Sequence, residues 1–180
     1  MDTIKCIKER RSVRKFKEME ISKDIIEEIV DASRYSPSWK NTQIVRYYAI
    51  NSDKIKAELA ENCILGFEFN GKTINRSKTL MVITTVDGIS GFEKDGSYST
   101  PKEDKWEMFD AGIATQTFCL AAKAKGVGTV ILGIFDDEKV KKAVGINDNE
   151  TVAALVAMGY PENLNDAPPR MEVSDILSFR

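Results

Sequence analysis

Histidine is absent from the 180 residues of this chain, and that absence excludes several kinds of active site. A Ser-His-Asp or Cys-His nucleophile system cannot form, and the commonest protein ligand of transition metals is missing, so we expect no metal site. Difficult chemistry would have to come from a bound cofactor, while the protein contributes binding and electronic tuning.

Cysteine is scarce as well. The chain has three cysteines, Cys6, Cys63 and Cys119, which are widely spaced and set among apolar residues. An odd number in such surroundings favours reduced packing thiols over disulfides or metal ligands, and it gives little support for a catalytic thiol.

Long apolar runs and an excess of one charge are also lacking. No stretch approaches the length of a membrane span, and the first five residues lack the features of a secretory signal. The 26 Lys and Arg are matched by 28 Asp and Glu, and the resulting net charge of −2 argues against nucleic-acid binding. The composition therefore predicts one cytoplasmic globular domain over residues 1–180, with neither a nucleic-acid nor a membrane partner.

The familiar nucleotide-binding loops are missing too. Gly126 and Gly128 lack the third glycine of a dinucleotide-binding turn, and they precede a predicted strand instead of following one. No phosphate loop of the Gly-Lys-Ser type occurs, so nucleoside triphosphate chemistry has no support.

The most informative feature that is present is an arginine cluster near the N-terminus. Arg10, Arg11 and Arg14 lie within five residues of one another, with the hydroxyl of Ser12 among them. Each guanidinium offers a fixed fork of donors that stays charged at any pH a protein meets, which suits a multiply charged anion such as a phosphate. The plainer interpretation is a solvated basic helix end.

A second polar cluster runs from Tyr35 to Gln43. Pro37 ends a helical pattern there, and hydroxyl, amine and amide side chains follow it closely. Such a run can hydrogen-bond a polar heterocycle.

Periodicity and capping residues predict the helices. Ser22 is the expected N-cap of a helix whose isoleucines recur at helical spacing until Pro37. Ser52 and Asp53 are expected to cap a second helix, and Asp136 to begin a short one. Asp104 and Glu107 resemble a capping box that opens a long helix running to Lys125. This helix is apolar or small around most of its circumference, which predicts burial on nearly all sides. Its partner could be the core of this chain or a second subunit.

Four β-strands are predicted at residues 46–50, 79–86, 128–135 and 151–158. The second is a near-continuous apolar, β-branched run, which is typical of a strand buried on both faces near the centre of a sheet. Residues 87–101 turn to Gly, Ser and charge, which indicates a long loop and a candidate lid.

Several of these segments together resemble the nitroreductase family of FMN-dependent enzymes in both order and spacing. The resemblance begins with the Arg-Arg-Ser start and the Pro-Ser-x-x-Asn-x-Gln turn. The other matching segments are Asp110–Gln116, Gly126–Gly133, Ala157–Pro161 and the tail Ala167–Arg170. The similarity thus spans nearly the whole chain apart from its middle.

The resemblance implies an α+β fold with a central mixed β-sheet flanked by helices. It also implies an interlocked homodimer with the long helix at its centre. One domain over residues 1–180 would bind FMN, with most of the chemistry carried by the flavin and no catalytic side chain.

The resemblance further implies three groups of FMN-binding residues. Phosphate and ribityl contacts would come from Arg10, Arg11, Ser12 and Arg170, and Arg14 would lie near the pyrimidine edge. A turn from the neighbouring subunit would contribute Pro37, Ser38, Asn41 and Gln43. The end of a strand would lie against the ring, namely Ile131, Leu132 and Gly133.

The implied activity is NAD(P)H-driven reduction of a nitroaromatic, a quinone or a similar electron-poor acceptor by a ping-pong mechanism. Phe92, Tyr98 and Trp106 are candidates for the outer wall of the cavity, although each could equally be a packing residue. Gln43 is followed by Ile44 and Val45 where the family usually has Pro-Trp, so packing beside the ring is expected to differ.

Other functions remain open from the residues alone. An FMN enzyme could oxidise a specific metabolite instead, since a fold does not specify the direction of a reaction. The chain could also bind flavin with little turnover, or bind a small phosphorylated metabolite without any flavin.

Overall fold

A four-stranded antiparallel β-sheet forms the centre of the protein. The computed structural model describes residues 2–164 and 166–180. Its strands are Val45–Ile50 (β1), Thr79–Val86 (β2), Gly128–Leu132 (β3) and Glu150–Gly159 (β4), arranged in the order β1-β2-β4-β3. The run at residues 79–86 is an interior strand as predicted, because it pairs with β1 on one side and β4 on the other.

A mixed sheet was expected, but parallel pairing occurs at one bridge of the described residues. All three pairs of strands are antiparallel. In the described part of the chain, the isolated bridge between Ser12 and Thr129 is the parallel pairing, and there Val13 N–H donates to Thr129 O at 2.9 Å. The segment after the arginines is too short to count as a strand, but it lies along the free edge of β3.

Helices pack on both faces of the sheet. Their bounds are Thr3–Glu9 (α1), Lys23–Ser33 (α2), Asp53–Asn62 (α3), Glu68–Arg76 (α4), Lys105–Ala124 (α5), Asp137–Val144 (α6) and Val173–Ile176 (α7). The side chains of Ser22, Ser52 and Asp136 cap α2, α3 and α6 as predicted. Helix α4 was not predicted, because Phe67 precedes it and makes no side-chain cap.

Alternating residues of the sheet supply two apolar cores. On one face Leu80 and Val82 of β2 pack with residues of α3 and α6, and on the other face Met81 and Ile83 pack with α2 and α5. Successive residues of a strand point to opposite faces of the sheet. Because helices cover both faces, all four β2 side chains are fully buried. This arrangement explains why the run looks continuously apolar.

The predicted capping box at the start of α5 is wrong. Asp104 makes no side-chain cap, and its backbone is already helical with φ −69° and ψ −8°. Glu107 instead accepts hydrogen bonds from Gly88 N at 2.7 Å and Ile89 N at 3.3 Å. The carboxylate therefore anchors the loop that precedes α5, and burial raises its pKa.

Helix α5 is also less enclosed by its own chain than predicted. Phe118, Cys119 and Ala122 are buried against the sheet, but Met108 is 44% and Phe109 58% exposed. Gly112 and Gln116 continue this exposed face along the helix. No helix in residues 2–164 and 166–180 has both the length and the apolar character needed to cross a membrane.

Candidate functional site

An arginine-lined cavity of about 220 Å³ joins the two ends of the chain. Four of its seven lining residues are arginines. Its walls are formed by Arg10, Arg11, Ser12, Arg14, Asp166, Pro168 and Arg170. The residues predicted to bind a phosphate are thus together in one place, including one that is 156 positions or more after the others in sequence. We call this the arginine cavity.

Local structure explains how the first arginines are placed. Helix α1 ends at Arg10, where the backbone turns extended at φ −61° and ψ 132°. Val13 and Phe16 then bury their side chains, and both lie directly over glycines of the sheet edge. The alternation of an extended segment consequently turns Ser12 and Arg14 away from the core and toward the cavity.

The guanidiniums of the arginine cavity have no ion-pair partner among the described residues. Arg11 Nη1 donates to Lys8 O at 2.7 Å and to Arg10 O at 2.9 Å, while Arg11 Nε is buried without any partner. Arg170 makes one long contact of 3.5 Å to Pro168 O. Four fixed positive charges, one nearby carboxylate and an unused buried donor suit a dianion such as a phosphate.

The predicted polar turn lines a different cavity, of about 250 Å³, which we call the turn cavity. Pro37, Ser38 and Gln43 form one wall of it, below helix α2 and beside β1. Asn41 is exposed at the tip of the turn. The turn cavity and the arginine cavity share no lining residue, so these two predicted groups line separate cavities of the protomer.

The turn is conformationally strained. Lys40, Asn41 and Gln43 have φ values of 45°, 58° and 52°, in the left-handed region that residues other than glycine rarely adopt. Each such residue costs on the order of 1 to 3 kcal/mol and persists only where its surroundings hold it. Ser38 Oγ, which accepts from Gln43 N at 3.0 Å, supplies part of that support.

The third predicted group lies at the end of β3. Ile131 is 48% exposed and Leu132 is buried, so Ile131 presents an apolar surface while Leu132 belongs to the core. Gly133 follows the strand and is exposed. Asn70 of α4 donates to Ile134 O at 3.2 Å and holds this segment in place.

Two polar residues matter for these arrangements and were not predicted as site residues. Asn70 is buried on α4, which the sequence pattern missed, so no signal pointed to it. Asp110 of α5 is 2% exposed and accepts from Trp39 N–H and from the hydroxyl of Ser90. Its position in an otherwise apolar helix was the available signal, since carboxylates are rarely buried without partners.

The loop after β2, expected as a candidate lid, is tied down at several points. Phe92 and Tyr98 pair across it with ring centroids 5.0 Å apart, so they pack against each other. Trp106 contacts Trp39 with ring centroids 4.5 Å apart and ring planes tilted by 41°. Of the three aromatic residues proposed for the cavity wall, only Trp106 reaches the polar turn.

Tyr47, which lines the turn cavity, predicts a measurable pH dependence of stability. Burial raises its pKa from 10.0 to about 12. The folded state therefore favours the protonated phenol, and the corresponding stabilisation is complete below pH 10 and is lost as the pH rises toward 12. The loss should reach at most about 3 kcal/mol, at 1.36 kcal/mol per unit of pKa.

The measurement is chemical denaturation of the wild type and Tyr47→Phe at pH 9 and pH 11.5. The wild type should lose more stability than the variant between these pH values. Tyr48→Phe is the matched control, because Tyr48 donates to Glu150 at 2.8 Å near the surface of the sheet and should account for a smaller part of the loss. Equal losses in the wild type and Tyr47→Phe would contradict the assignment.

Comparisons with known proteins point in one direction. The model of the nitroreductase family matches residues 7–160. A protein of Archaeoglobus fulgidus named as an NADH dehydrogenase/NAD(P)H nitroreductase is 29% identical over 92% of this chain and 88% of its own length.

Solved structures share the fold. A nitroreductase family protein from Clostridium novyi superposes with a TM-score of 0.77 at 29% identity, covering 92% of this chain and 89% of its own. A protein from Exiguobacterium sibiricum, crystallised in complex with FMN, gives a TM-score of 0.84 at 21% identity, covering 100% and 98%.

Proposed function

This chain belongs to the nitroreductase family, and we propose that this FMN-dependent oxidoreductase uses NAD(P)H to reduce nitroaromatics, quinones or similar electron-poor acceptors. The observation that carries the proposal is the arginine cavity, in which both ends of the chain converge on a site for a dianion. The FMN bound to the Exiguobacterium sibiricum protein supports the choice of cofactor.

The residues of the arginine cavity fit the phosphate of FMN. Arg10, Arg11 and Arg170 would neutralise its charge, and the unpartnered Arg11 Nε supplies a donor that the protein itself does not use. Ser12 adds a neutral donor, and Arg14 extends the positive field toward the ring. A fixed positive charge near the flavin favours its acceptance of electrons.

Bound FMN supplies a ring that accepts a hydride equivalent from one partner and returns it to another. The protein contributes binding, orientation and exclusion of water. Ile131 at the exposed end of β3 offers apolar surface for the ring, and Asn70 holds the adjoining segment through Ile134 O. A single cavity open to one face of the ring would admit NAD(P)H and the acceptor in turn, which predicts ping-pong kinetics.

We further propose that the active form is a homodimer. Ile4 and Ile7 of α1 are 59% and 47% exposed, on a helix that packs against α5. Phe109, nearer the start of α5, is also exposed, so one protomer leaves apolar side chains on both helices without a partner. Pairing of two such protomers would bury these side chains and would let Ser38 and Asn41 reach the flavin of the other subunit, in keeping with the separate cavity that Ser38 lines.

The dimer can be tested at Gly112. A Cβ built at this position meets nothing within 4 Å, so the protomer tolerates a side chain there. Gly112→Ala should preserve assembly and stabilise the helix by roughly 0.5 to 1 kcal/mol. Gly112→Arg should weaken dimerisation and reduce FMN retention together, as measured by sedimentation velocity and flavin absorbance. An unchanged dimer in the arginine variant would place the interface elsewhere.

The activity is tested by anaerobic titration of the FMN-loaded protein with stoichiometric NADH and then NADPH. Bleaching of the flavin spectrum, followed by re-oxidation with a nitroaromatic or a quinone, supports the proposal. A flavin spectrum that persists with both donors would leave a flavin-binding protein with little turnover, or an enzyme that oxidises a metabolite. Failure to retain added FMN would overturn the function and leave the fold intact.

A further inference from the structure

The buried carboxylate of Asp110 connects three parts of the structure. Both of its oxygens lie within hydrogen-bonding distance of Trp39 N, at 3.1 Å and 3.0 Å, and Ser90 Oγ donates to it at 2.7 Å. Trp39 begins the strained part of the turn, and Ser90 belongs to the loop after β2. Asp110 itself lies on the rigid helix α5 and lines the turn cavity.

Two further contacts hold the same turn, one to the loop and one to Trp106 in the first turn of α5. Lys40 Nζ lies 3.0 Å from Glu93 Oε1, and the rings of Trp39 and Trp106 are in contact, with centroids 4.5 Å apart and planes tilted by 41°. The loop in turn packs closely against Trp106, since a Cβ at Gly91 would lie 2.9 Å from its ring. The loop therefore supports the turn on one side, and Asp110 supports it on the other.

We propose that Asp110 is a positioning residue that holds the strained turn 38–43 in the conformation which contacts the flavin ring, and that loop 87–104 supports the turn instead of acting as a lid. The inference rests on the proposed function. Three left-handed residues within four positions would relax without external support. The hydrogen bond from Trp39 N–H to the Asp110 carboxyl group attaches the backbone of this turn to α5, beside the contact between the rings of Trp39 and Trp106.

The two tryptophans of the chain provide a direct readout of the turn. Two indoles with centroids 4.5 Å apart couple electronically, so their circular dichroism reports the relative position of Trp39 and Trp106 without any cofactor. Asp110→Ala should diminish this coupled signal in the cofactor-free protein while leaving the far-ultraviolet helix signal in place. Asp110→Asn, which keeps one oxygen to accept from Trp39 N–H, should retain more of it.

Binding of FMN and riboflavin then separates the turn from the phosphate site. Asp110→Ala should lower the affinity for FMN and for riboflavin by a similar factor of roughly tenfold, because the turn contacts the ring and not the phosphate. Asp110→Asn should recover part of the affinity. Ser90→Ala is the matched control, since it removes the loop contact to Asp110 but leaves the contacts to Trp39 N, and its loss should be smaller than that of Asp110→Ala.

The outcomes in Asp110→Ala either support or contradict the proposal. Wild-type affinity and an unchanged tryptophan signal in Asp110→Ala would overturn the proposal. If Asp110→Ala does not fold, the comparison of Asp110→Asn with Ser90→Ala still decides, and a larger loss in Ser90→Ala would contradict a role through Trp39. A wild-type protein that binds no flavin would refute the proposed function, whereas the tryptophan signal would still test the attachment of the turn.

Discussion

Arg10→Ala should release FMN from the protein, with an affinity roughly tenfold to over a hundredfold below that of the wild type. The estimate follows from the loss of about 1.5 to 3 kcal/mol for a hydrogen bond to a charged group, at 1.4 kcal/mol per tenfold. Arg10 lines both the arginine cavity and a neighbouring cavity of about 180 Å³, which also contains Lys123. Its removal therefore lowers the positive potential throughout this region.

The measurement is a fluorescence titration of the cofactor-free protein with FMN at two salt concentrations. The wild type should lose affinity with added salt more steeply than the variant, because one charge contact to the phosphate is missing. Arg76→Ala is the matched control, since Arg76 is exposed on α4 and does not line the arginine cavity. Equal FMN affinity in Arg10→Ala and the wild type would refute the phosphate assignment.

Gly128→Ala should destabilise the protein by about 1 to 3 kcal/mol, the usual cost of overpacking a tight core. A Cβ at Gly128 would lie 2.7 Å from a methyl carbon of Val13 and 2.9 Å from its Cβ. The segment 12–16 would have to move away from β3, and it carries Ser12 and Arg14 with it. The substitution is consequently expected to reduce FMN affinity as well as stability, although it removes no cofactor contact.

Urea denaturation and FMN titration of the same variant measure both effects. Gly112→Ala is the control at a glycine with open space around it, and it should show neither loss. Combining Gly128→Ala with Val13→Ala should cost less than the sum of the two, because the smaller side chain relieves part of the clash. Strict additivity would show that Val13 does not transmit the strain.

Much of the fold was predictable because its signals are local. The buried run at residues 79–86 indicated an interior strand, and Ser22 indicated a helix start, since a serine cap followed by spaced isoleucines leaves little alternative. Helix α4 was missed because it begins after Phe67 without a side-chain cap. The Asp104 capping box was wrong because Glu107 has competing partners, the loop amides of Gly88 and Ile89, which no local pattern shows.

The candidate site was predictable in a similar way. The grouping of Arg10 and Arg14 followed from their spacing, and the resemblance to the family brought Arg170 to the same place, as the structure shows. Contact of the turn with a flavin stays a prediction, because Ser38 and the arginines line separate cavities of the protomer. The support of the turn by Asp110 depends on contacts 71 positions apart in sequence, which periodicity cannot reveal.

The strand order has a consequence for synthesis of the protein in the cell. Strand β4 occupies the centre of the sheet between β2 and β3, yet it is the last of the four to leave the ribosome. Until residues 150–159 emerge, the apolar strand β2 has one open edge and β3 has no neighbour. Open edges of this kind favour pairing with other chains. The open edge of β2 should therefore persist from the synthesis of residue 86 until β4 has emerged, and the sheet should close only after that point.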